Sequence, residues 1–211
     1  MKITKHEHAF LELELNGSVV LVDPGSYTPS LPEIANVVAI CLTHIHDDHS
    51  YPDHIKSLLK QSPEALLFGP PEVATKLAGL PVQPVYHGDH YEVQGFEIDF
   101  FGYLHQEIHS GIAVIQNVGV MINRSLYYPG DSYTVPDSPV EVLACPASAP
   151  WLKISDVMDF LAAVGAKTVF PTHNALLSNH GHDLYNARIK QVTEENGGSF
   201  EYLKVGQSLE A

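Results

Sequence analysis

Between residues 44 and 49 the chain reads His44-Ile45-His46-Asp47-Asp48-His49, three imidazoles and two carboxylates within six positions. Nitrogen and oxygen donors without a thiolate are the set that holds divalent cations such as zinc, with manganese and iron compatible with the same ligands. The string follows Val37 to Leu42, an apolar run rich in valine and isoleucine, which reads as a strand buried on both faces. The cluster therefore emerges at a strand's C-terminal end. His44 and His46, two apart on an extended exit, project the same way, while Asp48 and His49 lie past the turn and can face a second ion. Thirteen histidines make a chance pair easy to find, but the whole H-x-H-x-D-H string is far more demanding than a pair, and a solvated loop is the lesser reading.

A catalytic metal centre draws ligands from several strand ends, and three further places qualify. His105 and His109 both follow a strand expected over 97–103. Asp131 follows one over 126–128, and Gly130 before it permits close backbone approach. His173 follows one over 168–170. Of the two histidines after the same strand, His105 emerges first and is the preferred ligand; His109 is the alternative, and the one not used stays in the pocket as a substrate or proton-transfer group.

This arrangement, with Gly130-Asp131-Ser132 and Pro171-Thr172-His173, resembles the metallo-β-lactamase-fold hydrolase superfamily over nearly the whole chain. The small size, Pro129-Gly130-Asp131-Ser132 and Ala149-Pro150-Trp151 are most similar to the branch that includes the ascorbate-6-phosphate lactonase and uncharacterised small metallohydrolases. The resemblance implies an α+β fold, an αβ/βα sandwich of two mixed β-sheets with helices on the outer faces. It implies that His44, His46 and one of His105 and His109 hold one divalent ion, that Asp48, His49 and His173 hold another, and that Asp131 lies between. It also places an orienting carboxylate at Asp23 and a histidine near the metals at His8. Two cations about 3.5–4 Å apart would lower the pKa of a shared water and aim the resulting hydroxide at carbon or phosphorus. The expected activity is hydrolysis of a small ester, lactone or phosphoester, with Asp48 both ligating and orienting the nucleophile, and His105 and His109 as the other catalytic candidates. Trp151 and Lys153 are candidates to line the mouth or support the ligands; His6, His180 and His182 read more readily as solvated.

Other functions fit less well. A di-iron oxygen- or nitric-oxide-reducing protein of this fold would carry an acid where His46 stands. A nuclease or phosphodiesterase of the same fold is disfavoured by a formal charge of −14, from 25 acids against 11 bases, which repels polyanions. A non-catalytic metal-binding protein would have little use for so complete a ligand set. The expected partner is a small-molecule substrate.

The elements that must position these residues can be read from periodicity and turn chemistry. His8 to Leu15 alternates as a half-buried strand, Asn16-Gly17 turns, and Ser18 to Val22 returns to Asp23-Pro24-Gly25. Helices are expected over 52–60, 71–77, 154–164 closed by Gly165, and 184–195 ended by Gly197. Further strands are expected over 65–68, 82–86, 91–93, 117–122 and 200–205. At 211 residues and 45% apolar, without repeat or linker, one domain over 1–211 is expected. No apolar run approaches the roughly 20 residues that span a bilayer, and no leader pattern opens the chain, so a soluble cytoplasmic protein is the expectation. Cys41 and Cys145, the first in a buried strand, are not expected to pair.

Overall fold

The computed structural model describes residues 1–211. It contains fourteen strands: β1 Lys2–Lys5, β2 Leu11–Leu15, β3 Ser18–Val22, β4 Val37–Cys41, β5 Leu66–Gly69, β6 Val82–Pro84, β7 His90–Val93, β8 Phe96–Phe101, β9 Gly119–Ile122, β10 Leu126–Tyr128, β11 Val142–Pro146, β12 Thr168–Thr172, β13 Ser199–Phe200 and β14 Ser208–Glu210. Four helices accompany them: α1 Pro52–Gln61, α2 Pro71–Lys76, α3 Ile154–Val164 and α4 Asn179–Glu195. One sheet has the order β14-β1-β2-β3-β4-β5-β6, the other β13-β12-β11-β10-β9-β8-β7, and both are mixed.

Strand alternation divides each sheet into an inner and an outer apolar face. Leu11, Leu13, Val20, Val22, Ala39 and Cys41 of the first sheet pack inward against Ile98, Phe100, Val120, Ile122, Tyr128 and Phe170 of the second. On the outer side of the first sheet, Leu21, Ile40 and Leu67 meet Ile55 and Leu58 of α1 and Val73 of α2. On the outer side of the second, Tyr127, Leu143 and Cys145 meet Val157, Phe160 and Leu161 of α3 and Ile189 of α4. The molecule is the expected αβ/βα sandwich. Both cysteines are buried and free, and no helix is long and apolar enough to cross a membrane.

Topology sends the chemistry-bearing residues to one edge. Strands β3 and β4 run parallel, as do β10, β11 and β12, so Asp23, residues 43–49, Asp131, Ser148 and His173 all follow C-terminal strand ends on the same side. β8 is antiparallel to β9, which is antiparallel to β10; β8 therefore also ends there and delivers His105. β2 is antiparallel to β3, so its N-terminal approach, containing His8, reaches the edge from the other direction.

Several boundaries differ from the expected ones. Residues 8–10 are not strand: His8 sits in the turn between β1 and β2 at φ 57°, and β2 begins at Leu11. The sequence pattern does not predict β1, β11 or β14; β1 and β14 are only four and three residues long, too short to carry a pattern. β11, VLACP, is buried throughout between parallel neighbours in its mixed sheet and so shows no alternation. Helix α4 starts at Asn179 because the Ser178 side chain caps it, accepting from Gly181 N, in a segment without apolar periodicity. Only Ser199 and Phe200 pair in the stretch expected as a strand over 200–205.

Candidate metal centre

Two groups of four side chains converge at this edge, and within each group the ligand atoms lie within 4.8 Å of one another. One comprises His44, His46, His105 and Asp131; the other His8, Asp48, His49 and His173. Asp131 faces both. Its Oδ1 is 3.3 Å from His49 Nε2 and 3.2 Å from His173 Nε2, and its Oδ2 is 3.4 Å from His105 Nε2 and 4.0 Å from His44 Nε2.

The imidazoles are held by their outer nitrogens. His49 Nδ1 donates to Asp23 Oδ2 at 2.6 Å, His173 Nδ1 to the Ser148 carbonyl at 2.6 Å, and His105 Nδ1 to the Gln106 carbonyl at 2.5 Å. Thr43 Oγ1 donates to Asp23 Oδ2 and accepts from His44 Nδ1 at 3.0 Å. With Nδ1 committed outward, each of these four rings turns Nε2 inward, the atom that ligating histidines offer to a cation. His46 instead presents Nδ1, 3.0 Å from His44 Nε2. His8 has the reverse tautomer: Ala175 N donates to its Nδ1 at 3.3 Å, so its proton is on Nε2, which donates to Asp48 Oδ2 at 3.1 Å. His8 thus acts on Asp48 as a donor.

The donor set fits cations. His105 Nε2 and Asp131 Oδ1 are buried without a hydrogen-bond partner, and His49 Nε2 and His173 Nε2 stand 3.0 Å apart. Uncompensated atoms of this kind are costly unless a metal or proton lies between them. Burial opposes ionisation of Asp131, yet the facing His173 and His49 hold it well below the usual carboxylate range. Burial also works against a charged His173, but Asp131 and Asp48 push it up to about 10. Burial, reinforced by neighbouring His49, keeps His44 well below the usual imidazole range.

The frame around the groups is rigid. Asp23, fully buried, accepts from Thr43 N, Thr43 Oγ1 and His49 Nδ1. Asp23 and His173 both adopt left-handed backbone, at φ 48° and 52°, as does His8; such conformations cost about 1–3 kcal/mol each and gather at functional sites. Gly25 has no room for a Cβ, which would run into the Asp48 carbonyl and the His49 amide. Trp151, 8% exposed, donates from its indole nitrogen to Asp131 Oδ2 at 2.8 Å.

Of the other sequence candidates, Lys153 is exposed at the N-cap of α3, outside both groups. His109 is exposed in the 102–117 loop, where its Nδ1 accepts from Gly111 N, and belongs to neither group. His180 and His182 lie on the first turn of α4. Two contributors escaped the sequence. Asn117 is fully buried; its Oδ1 accepts from Asp131 N and its Nδ2 donates to the Pro129 carbonyl, pinning the turn that presents Asp131. Lys76, at the end of α2, donates to the carbonyls of Ile45 and Ser50 at 2.6 and 2.9 Å and to Asp47 Oδ1 at 2.7 Å, holding the 44–49 loop from beneath. A lysine in the last helical turn is ordinary, and nothing in its spacing marks it.

Residues 2–173 match the model of the beta-lactamase superfamily domain. The chain belongs to the beta-lactamase superfamily. Protein Rv0786c of Mycobacterium tuberculosis is 34% identical over 198 residues, covering 92% of this chain and 93% of the relative. A UPF0173 metal-dependent hydrolase of Bacillus cereus is 29% identical, covering 82% and 85%. Igni18, a metallo hydrolase of Ignicoccus hospitalis, shares the fold with a TM-score of 0.75 at 18% identity, covering 99% of this chain and 97% of its own. The Bacillus relative and the Ignicoccus structure are themselves named as hydrolases that use metal.

Proposed function

We propose that residues 1–211 form one metallohydrolase unit that cleaves a small ester, lactone or phosphoester with two divalent cations, zinc foremost. The observation that supports it most is the inward convergence of four Nε2 atoms, His46 Nδ1 and both oxygens of Asp131 within two adjoining groups. In this reading His44, His46 and His105 hold one cation, Asp48, His49 and His173 the other, and Asp131 turns one oxygen to each. When bound, the cations supply Lewis acidity that polarises the electrophile and draws a water's pKa toward neutrality.

The chain's own residues do the rest. His8 donates to Asp48 Oδ2 and so fixes that carboxylate's rotamer and its charge. His46 and Asp48 are half-buried where the other members of the two groups are buried, which makes them the face over which a substrate approaches. Tyr27, 40% exposed and with its ring 4.6 Å from that of His8, flanks this opening. The net charge of −14 favours small substrates over polyanionic ones.

The test is elemental analysis of purified protein, followed by an activity screen over lactones, phosphodiesters, phosphomonoesters and thioesters. Two equivalents of metal per chain and turnover in one class, abolished in a folded Asp131→Ala variant, are expected. Full activity with one metal per chain would leave a mononuclear enzyme, and turnover unchanged by Asp131→Ala would remove that residue from the site.

A further inference from the structure

A cavity of about 180 Å³ lies beside the turn joining β1 to β2, walled by residues 174–175, the first turn of α4 and the loop after β13. None of the candidate metal ligands lines it. Lys5, the last residue of β1, does, and it is only 2% exposed. Its ammonium makes one hydrogen bond, to the His6 carbonyl at 3.2 Å, and no ion pair. An ammonium with three donors can make more than this, and a buried charge without a directly paired counter-charge is costly in general; Glu7 acts on it only from beyond ion-pair distance. Burial, opposed in part by the Glu7 charge, lowers its pKa to about 8, so it is still protonated at neutral pH.

The other walls point to the same chemistry. His182 lines the cavity, and its Nδ1 is buried without a hydrogen-bond partner. Lys204 and Tyr202 line it from the facing loop, and Glu7 is the one acid in the lining. Two of the chain's eleven basic side chains thus meet at one small cavity in a protein of net charge −14. We propose that this cavity binds a small oxyanion, a phosphate or carboxylate group, held by Lys5, Lys204 and His182. Its volume suits a single such group and not a nucleotide. Charge-assisted hydrogen bonds from the two ammoniums would offset the desolvation of Lys5 that Glu7 compensates only in part.

The experiment is an amide ¹⁵N-NMR titration of the metal-loaded protein with inorganic phosphate and, separately, acetate. Saturable shifts are expected at the amides of Ala175, Leu203 and Lys204, lost in Lys5→Met and weakened about tenfold or more in Lys204→Ala, while any shifts at His46 are the same in all three proteins. The arm that saturates at lower concentration identifies the oxyanion class. Absence of saturable shifts in both arms would overturn the proposal, as would shifts that persist unchanged in both variants. Should Lys5→Met not fold, Lys204→Ala, at an exposed position, decides by itself.

Discussion

The Trp151 indole N–H donates to Asp131 Oδ2 at 2.8 Å, while Asp131 Oδ1 has no hydrogen-bond partner and faces His49 and His173. The carboxylate that adjoins both ligand groups is therefore oriented from one side by an aromatic ring, which leaves the other oxygen free for a cation. Trp151→Phe preserves most of the packing and deletes that bond. Metal affinity measured by chelator competition should fall about 10–100-fold, the range for loss of a partner behind a ligand, with circular dichroism unchanged. Wild-type affinity in Trp151→Phe would assign Trp151 to packing alone.

Asp23 ties Thr43 to His49 with three hydrogen bonds at full burial. Removing its carboxylate orphans buried donors on both sides, so Asp23→Ala should lose about 3–5 kcal/mol of unfolding free energy in urea. Asp23→Asn keeps the volume but not the charge that sets the His49 tautomer. It should fold and bind metal about 10–100-fold more weakly. Equal stability of Asp23→Ala and wild type would contradict this role.

Lys76 spans from α2 to both ends of the 44–49 loop. Lys76→Met should cost about 1–3 kcal/mol, the scale of leaving charge-assisted partners unmet. Hydrogen exchange at residues 45–50 should quicken more than exchange in the sheet core. A uniform acceleration over the whole chain would mean a global effect and not a loosened loop.

In metal-stripped protein His173 retains its proton up to about pH 10, because Asp131 and Asp48 oppose the effect of burial. A raised folded pKa means that this proton's contribution to stability is complete below the unfolded value of about 6.5 and is lost as pH climbs toward 10. A cation needs the same lone pair and must displace the proton. Apparent metal affinity should therefore rise with pH across that window, by up to about tenfold per unit for each proton released. An apparent dissociation constant that is flat between about pH 6.5 and 9 would show that no proton is displaced.

Much of this centre was legible in the chain order because its ligands cluster in sequence or sit just after apolar runs. His44 to His49 follows β4, Asp131 follows β10 and His173 follows β12, and the apolar runs that precede them are strong signals because burial of both sheet faces demands them. The turn chemistry of Asn16-Gly17 and the left-handed Gly165 closing α3 are equally local and were equally readable. What lay beyond reach depends on distance across the fold. His105 and His109 differ only in where β8 stops and the loop turns, which the β-bridge between Leu104 and Gln116 decides. The tautomer of His8 depends on the amide of Ala175, 167 residues away, and the task of Trp151 on a carboxylate 20 residues back. Asn117 and Lys76 have side chains of common type in unremarkable positions and acquire their roles only when the two sheets close on one edge. Periodicity records which face of an element is buried, but which particular atom waits on that face is set by the packing of elements far apart in sequence.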